Sequence, residues 1–165
     1  MPSQPSRHPG RDLALVLSRA ERLVVARQSE LLAAEGCSVE QWRVLSAVAG
    51  AGGLPMSEIA DYALMPAPSL TKLVDRMVAD NLVHRRADPG DRRRVLLHLA
   101  PRGRALHQRA AARVAADHTG LLAALEAAAG TRAAGGAGEL AAALTLLADL
   151  AAEPGAAAGR ARVPR

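Results

Sequence analysis

The sequence predicts a mainly α-helical chain with one small β-hairpin, and three observations predict it. Ala and Leu supply most of an apolar content of 50%, a composition that favours helices over sheets. Apolar residues recur at three-and-four spacing along most of the chain. Between Leu82 and Leu99 that spacing gives way to a turn, Asp88-Pro89-Gly90-Asp91, followed by the alternation Val95, Leu97, Leu99.

The chain has 165 residues, the size of one domain with an extension that needs a partner. One Trp, one Tyr and no Phe leave few large rings for a deep core. Helix-on-helix or subunit-on-subunit burial is the expected source of stability. The net charge of +5 points to a polyanionic partner or to solubility alone. Cys37 is the single cysteine, which excludes an intrachain disulfide and a multi-cysteine metal site and suits a reducing compartment. The apolar run Leu13 to Leu17 is followed at once by Arg19, Glu21 and Arg22. A signal peptide or membrane span needs a longer uncharged stretch, so a cytoplasmic protein without membrane contact is expected.

Taken in order, residues 1–11 are rich in Pro, Ser and Arg and read as a disordered basic arm. Residues 12–36 read as a helix with Leu13, Val16, Leu17, Ala20, Leu23, Val24 and Leu31 at helical spacing, stopped by Gly36. Ser38 and Gln41 form a capping box for the next helix. Cys37 before the cap and Trp42 at the fourth helical position form the matching hydrophobic staple. That explains Cys37 by packing. The helix continues to the glycines at 50, 52 and 53. Met56 to Ala63 is a short helix opened by Pro55, Leu64 to Pro68 a turn, and a longer helix follows to Asp80. Its apolar face is Leu70, Leu73, Val74 and Met77, and its other side carries Ser69, Lys72, Asp75 and Arg76. Asn81 stands where a left-handed cap residue is wanted. Leu82 to Arg86 and Arg93 to Leu99 are the hairpin strands, with Pro89 and Gly90 at the second and third positions of a type II turn. Residues 37–100 thus form one unit. Residues 101–153 read as a long helix to about Glu126, a loop and a final helix carrying Leu140, Leu144, Leu147 and Leu150. Residues 154–165 are Ala/Gly/Arg low complexity and read as a disordered tail.

Two helices joined by a tight turn and followed by a basic hairpin are a winged helix-turn-helix. A helix fits the major groove of B-DNA, and a thin hairpin with Arg at its end reaches the adjacent minor groove. From Lys72 to Arg113, basic residues outnumber acidic ones by eleven to four, a local excess more telling than the net charge.

The stretches "SVEQWRVLSAV", "MSEIADYAL", "PSLTKLVDRMVADNLVHRRADPGDRR" and "VLLHLAPRG" resemble the MarR family of winged-helix transcriptional regulators over roughly Ser38 to Gly103. Asp91, Arg93, Leu97, Leu99 and Gly103 match the family's wing most specifically. The resemblance implies a symmetric homodimer that binds a pseudo-palindromic operator, most often as a repressor, and is released by a small-molecule inducer or an oxidant. It implies that Ser69, Thr71, Lys72 and Arg76 face the major groove or its phosphates. Arg93 becomes the minor-groove residue, oriented by Asp91, and Arg92 and Arg94 meet phosphates. The outer helices would bury Leu13, Val16, Leu17, Leu144 and Leu147 between subunits. An inducer pocket is expected near Trp42, with Tyr62 the other aromatic available to it. Leu64 replaces a usual Gly, and Leu at positive φ is strained, which makes a rearranged turn an expectation. Pro66 replaces a usual Ser or Thr cap and Ala100 a usual Thr, the latter at about 1 kcal/mol of capping.

His107 and His118 share a helix face, but at 1.5 Å per residue they stand about 16 Å apart and cannot share one ion. No metal site, cofactor or catalytic residue is expected, because no nucleophile–histidine pairing, phosphate loop or ligand spacing stands out. Two alternatives accompany the operator-binding reading: a winged-helix subunit used for protein contacts, and a regulator switched through the Cys37 thiol.

Overall fold

The computed structural model describes residues 12–91 and 94–129; the side chains of Leu13 and of residues 124–129 are not among the described features. The expectations for residues 1–11, Arg92, Arg93, Leu144, Leu147 and everything after Ala129 lie outside the described residues. Two compact units divide the chain, Met1–Val114 and Ala115–Arg165.

The described elements are five helices and three short strands: α1 (Leu13–Ala33), α2 (Val39–Ala51), β1 (Leu54–Pro55), α3 (Met56–Ala63), α4 (Ala67–Ala79), β2 (Val83–Ala87), β3 (Val95–Leu99) and α5 (Pro101–Ala129). The boundary between the two units falls inside α5. Asp12 caps α1, its carboxylate accepting the Leu15 N–H at 3.2 Å. The capping box on α2 forms as its sequence dictates: Ser38 Oγ accepts the Gln41 N–H at 3.2 Å, and Gln41 Oε1 accepts the Ser38 N–H at 3.0 Å. Gly52, left-handed at φ 70°, ends α2.

The core of the first unit is aliphatic. Leu32 of α1, Val44, Leu45 and Val48 of α2, Ile59 of α3, the four-residue face of α4 and Leu97 and Leu99 of β3 form one buried cluster, closed by Leu106, Ala110 and Val114 of α5. Cys37 belongs to it at 4% exposure, and Trp42 packs against it half-buried.

The sheet is larger than the hairpin the sequence predicts. Its strand order is β1-β3-β2, all antiparallel, with β3 in the middle. Leu54 pairs with Leu97 and Pro55 with Leu96. β2 and β3 pair over five residues, from Val83 with Leu99 to Ala87 with Val95. A two-residue strand has no periodicity to betray it. Gly53, at φ 147°, lies flush on the His98 imidazole, where an added Cβ would collide with the ring. His98 in turn stacks on its cross-strand partner His84, with ring centroids 5.5 Å apart.

The turns correct two expectations. The turn between α3 and α4 is not rearranged. Leu64 accepts the left-handed conformation at φ 54°, ψ 45°. Leu64 N–H donates to the Asp61 carbonyl at 3.3 Å and Met65 N–H to the Ala60 carbonyl at 3.0 Å, closing the helix end. Arg43 adds a guanidinium bond to the Ala63 carbonyl at 3.4 Å. These bonds hold Leu64 where Gly would sit without strain. Nor is the wing turn of type II, since Gly90 has no positive φ. The Asp88 carboxylate accepts the Gly90 N–H at 2.8 Å, and this local side-chain bond sets the bend. Asn81, by contrast, is left-handed at φ 57° as expected, with Leu82 N–H returning to the Met77 carbonyl at 2.9 Å.

Candidate nucleic-acid interface

α4 is split lengthwise. Leu70, Leu73, Val74 and Met77 are each at most 6% exposed, so the helix is clamped by its apolar face. Ser69, Thr71, Lys72, Asp75 and Arg76 are all exposed on the other side. The expected groove-facing residues Ser69, Thr71, Lys72 and Arg76 therefore share one solvent face of a helix whose rotation is fixed. Thr71 Oγ1 donates back to the Ala67 carbonyl at 2.9 Å. Pro66 precedes the helix and gives no side-chain cap, while Pro68 sits in its first turn, where its missing N–H costs nothing.

The wing projects from β2 and β3. Asp88 N–H donates to the Arg94 carbonyl at 2.9 Å, and Arg94 N–H to the Asp91 carbonyl at 2.9 Å, which closes the loop. Asp91 and Arg94 are exposed. Two ion pairs that no sequence spacing announces tie this wing to the helices. Arg85 of β2 meets Asp75 of α4 at 2.7 Å, and Arg94 meets Glu58 of α3 at 3.6 Å. All four side chains are well exposed, so each pair is worth little energy, but each biases an arginine's direction. The only legible signal was opposite charge on neighbouring predicted elements.

On the side of the unit formed by the ends of α1 and α4 and the starts of α2 and α5 lies a cavity of about 530 Å³. Glu35, Gln41, Asp80, Arg102, Leu106 and Arg109 are among its lining residues; neither Trp42 nor Tyr62 is. Glu35 accepts from Arg109 Nε at 3.0 Å and from Arg113 Nε. These two guanidinium contacts, Arg109 first, hold its carboxyl below the ordinary range against the opposing effect of burial. Trp42 is already stacked: the His107 ring lies 5.0 Å from it at 11°. Burial lowers the His107 pKa. Tyr62 is 60% exposed on α3. Burial also pushes the Cys37 thiol up to about 11, the opposite of what a reactive thiolate needs.

On α1, Val16 and Leu17 are 47% and 36% exposed, and Leu15, Leu23 and Val24 are exposed beside them. Among the described residues no helix is long and apolar enough to cross a membrane.

Comparison with known proteins agrees with this geometry. A profile of the MarR family matches residues 35–94. The HTH-type transcriptional regulator FarR of Neisseria gonorrhoeae is 31% identical over 108 residues, 66% of this chain and 72% of FarR. A MarR family transcriptional regulator from Silicibacter pomeroyi DSS-3 superposes with a TM-score of 0.72 at 32% identity, over 86% of this chain and 99% of that one. The transcriptional repressor CouR, solved bound to a 23-mer DNA duplex, superposes with a TM-score of 0.68 at 26% identity, over 91% of this chain and 99% of that one.

Proposed function

The chain belongs to the MarR family of transcriptional regulators, and from that premise we propose that it is a cytoplasmic repressor that binds a pseudo-palindromic DNA operator as a homodimer. The observation that carries this reading is the lengthwise split of α4 beside a wing bearing Arg94. A helix held by four buried residues offers Ser69, Thr71, Lys72 and Arg76 as a rigid unit, and rigidity is what groove recognition requires. The DNA-bound state of CouR supports the same use of the fold.

In this reading Lys72 and Arg76 neutralise phosphates while Ser69 and Thr71 approach base edges. Arg93 enters the minor groove, Asp91 orients it, and Arg92 and Arg94 hold the backbone. Residues 12–36 and 101–153 form the dimer through Leu13, Val16, Leu17, Leu144 and Leu147. The exposure of Val16 and Leu17 on α1 supports it, since such a stripe needs a cover. Two-fold symmetry sets the two α4 helices one DNA turn apart, roughly 34 Å.

We assign release to a small-molecule inducer that binds better to a dimer whose α4 helices are wrongly spaced, and so weakens operator binding by that difference in affinity. Its site is assigned to the Trp42 region, with Tyr62 the other aromatic available to it. The protein acts as a regulator and not as a catalyst.

A gel-shift titration against the DNA upstream of its own gene tests the reading. Binding that weakens steeply with salt is expected. Absence of binding at every salt concentration would return the chain to the protein-contact alternative.

A further inference from the structure

The approach to α4 is unusual for a surface that meets a polyanion. Leu64, Pro66, Ala67 and Pro68 are all exposed, and none has a polar side chain. Leu64 is 81% exposed and holds a left-handed backbone at φ 54°, a conformation that costs a branched L residue energy. Burial returns nothing for that cost. Thr71 extends the same edge. Its hydroxyl hydrogen is spent on the Ala67 carbonyl, 2.9 Å away, so its methyl is the group it has left to offer a partner that lacks a donor. Helical spacing sets Ala67, Pro68, Thr71 and Lys72 together, opposite Leu70, Leu73, Val74 and Met77. The face is apolar at its leading end and cationic behind, where Lys72 and Arg76 stand.

In the major groove an apolar group has one favourable counterpart, the C5 methyl of thymine. Over guanine or cytosine the same side chains would strip water from acceptors and donors and replace none of those bonds. Lys72 and Arg76 hold the edge on the duplex by charge. We propose that Leu64, Ala67, Pro68 and Thr71 form a reader of thymine methyl groups, so that each operator half-site carries thymines beneath the first turn of α4. The inference rests on the DNA-binding reading and adds what that surface reads.

The full-length protein selects its operator from a pool of random duplexes, and each thymine of the selected duplex is then replaced in turn by deoxyuridine, which lacks only the methyl. Affinity is expected to fall roughly fourfold per contacted methyl, the worth of one buried methyl group, at one or two positions in each half-site. Indifference to uracil at every position would overturn the inference while leaving DNA binding intact. Failure to select any duplex would overturn both. Leu64→Gly supplies a second arm, because it relieves the strained turn. Its thermal stability is expected to hold or rise while the uracil penalty at the outermost contacted thymine shrinks towards onefold. An undiminished penalty at every position would remove Leu64 from the reader.

Discussion

Gly103 stands directly against the backbone carbonyl of Leu82, and a Cβ at Gly103 would overlap that oxygen. The same carbonyl accepts the Ala100 N–H at 3.0 Å, and Arg102 reaches the Asp80 carbonyl at 3.2 Å. The start of α5 is therefore bolted to the corner where α4 becomes β2. Backbone meets backbone here, so no side-chain rotamer can yield. Gly103→Ala is expected to destabilise the fold by roughly 1–3 kcal/mol, the usual cost of overpacking, and chemical denaturation measures it. A neutral result would mean that the corner can open without cost.

Cys37 is expected to be inert while the chain is folded. Its 4% exposure and its raised pKa of about 11 predict negligible labelling by a thiol reagent at pH 8 and full labelling in denaturant. The thiol is more acidic unfolded than folded, so the unfolded state loses its proton first as pH rises from about 9 towards 11. Stability should therefore fall over that interval, and Cys37→Ser should flatten the fall. Peroxide that released DNA from the wild type but not from Cys37→Ser would restore the thiol switch.

Glu35 predicts a dependence at the acid end. Arg109 and Arg113 depress its carboxyl in the fold. The stability it contributes is present above the ordinary glutamate range and is lost as pH falls through the depressed value. Melting curves of the wild type and Glu35→Gln should differ near neutrality and converge as the medium becomes acidic. A constant gap would show that the two guanidinium contacts do not set this titration.

Lys72 and Arg93 should separate by their effects on operator binding. Lys72→Ala is expected to weaken binding to all sequences alike and reduce the salt slope by about 1. Arg93→Ala should abolish operator binding with the melting temperature unchanged. Unaltered affinity in Arg93→Ala would count heavily against the wing as a minor-groove element.

The parts of this fold that were legible in the sequence are those fixed by neighbours in the chain. Ser38 and Gln41 lie three residues apart and cap each other as their types require. Leu70, Leu73, Val74 and Met77 state their own face, and Asn81 states its conformation. What escaped was set by partners distant in sequence or by competition between local rules. Leu54 and Pro55 become a strand because Leu97 and Leu96 lie beside them. Glu35 finds its arginines 74 and 78 residues away. Pro89-Gly90 suggested one turn type, but the Asp88 carboxylate captured the Gly90 N–H and imposed another. At Leu64 the side chain argued against a left-handed residue, and two returning N–H bonds prevailed. The exposed polar face of α4 was readable; the two ion pairs that aim Arg85 and Arg94 were not.

The placement of β3 at the centre of the sheet leaves β1 and β2 as its margins. An open margin invites a strand from another molecule, the route to aggregation. Here one margin is two residues long and ends on Pro55, whose nitrogen has no hydrogen to donate. The other carries Arg86 beside the Asp75-paired Arg85, and charged side chains on an edge discourage pairing with another strand. Both margins thus carry features that work against edge-to-edge addition of one copy to another, a safeguard for a protein that also exposes leucines such as Leu15, Leu23 and Leu64.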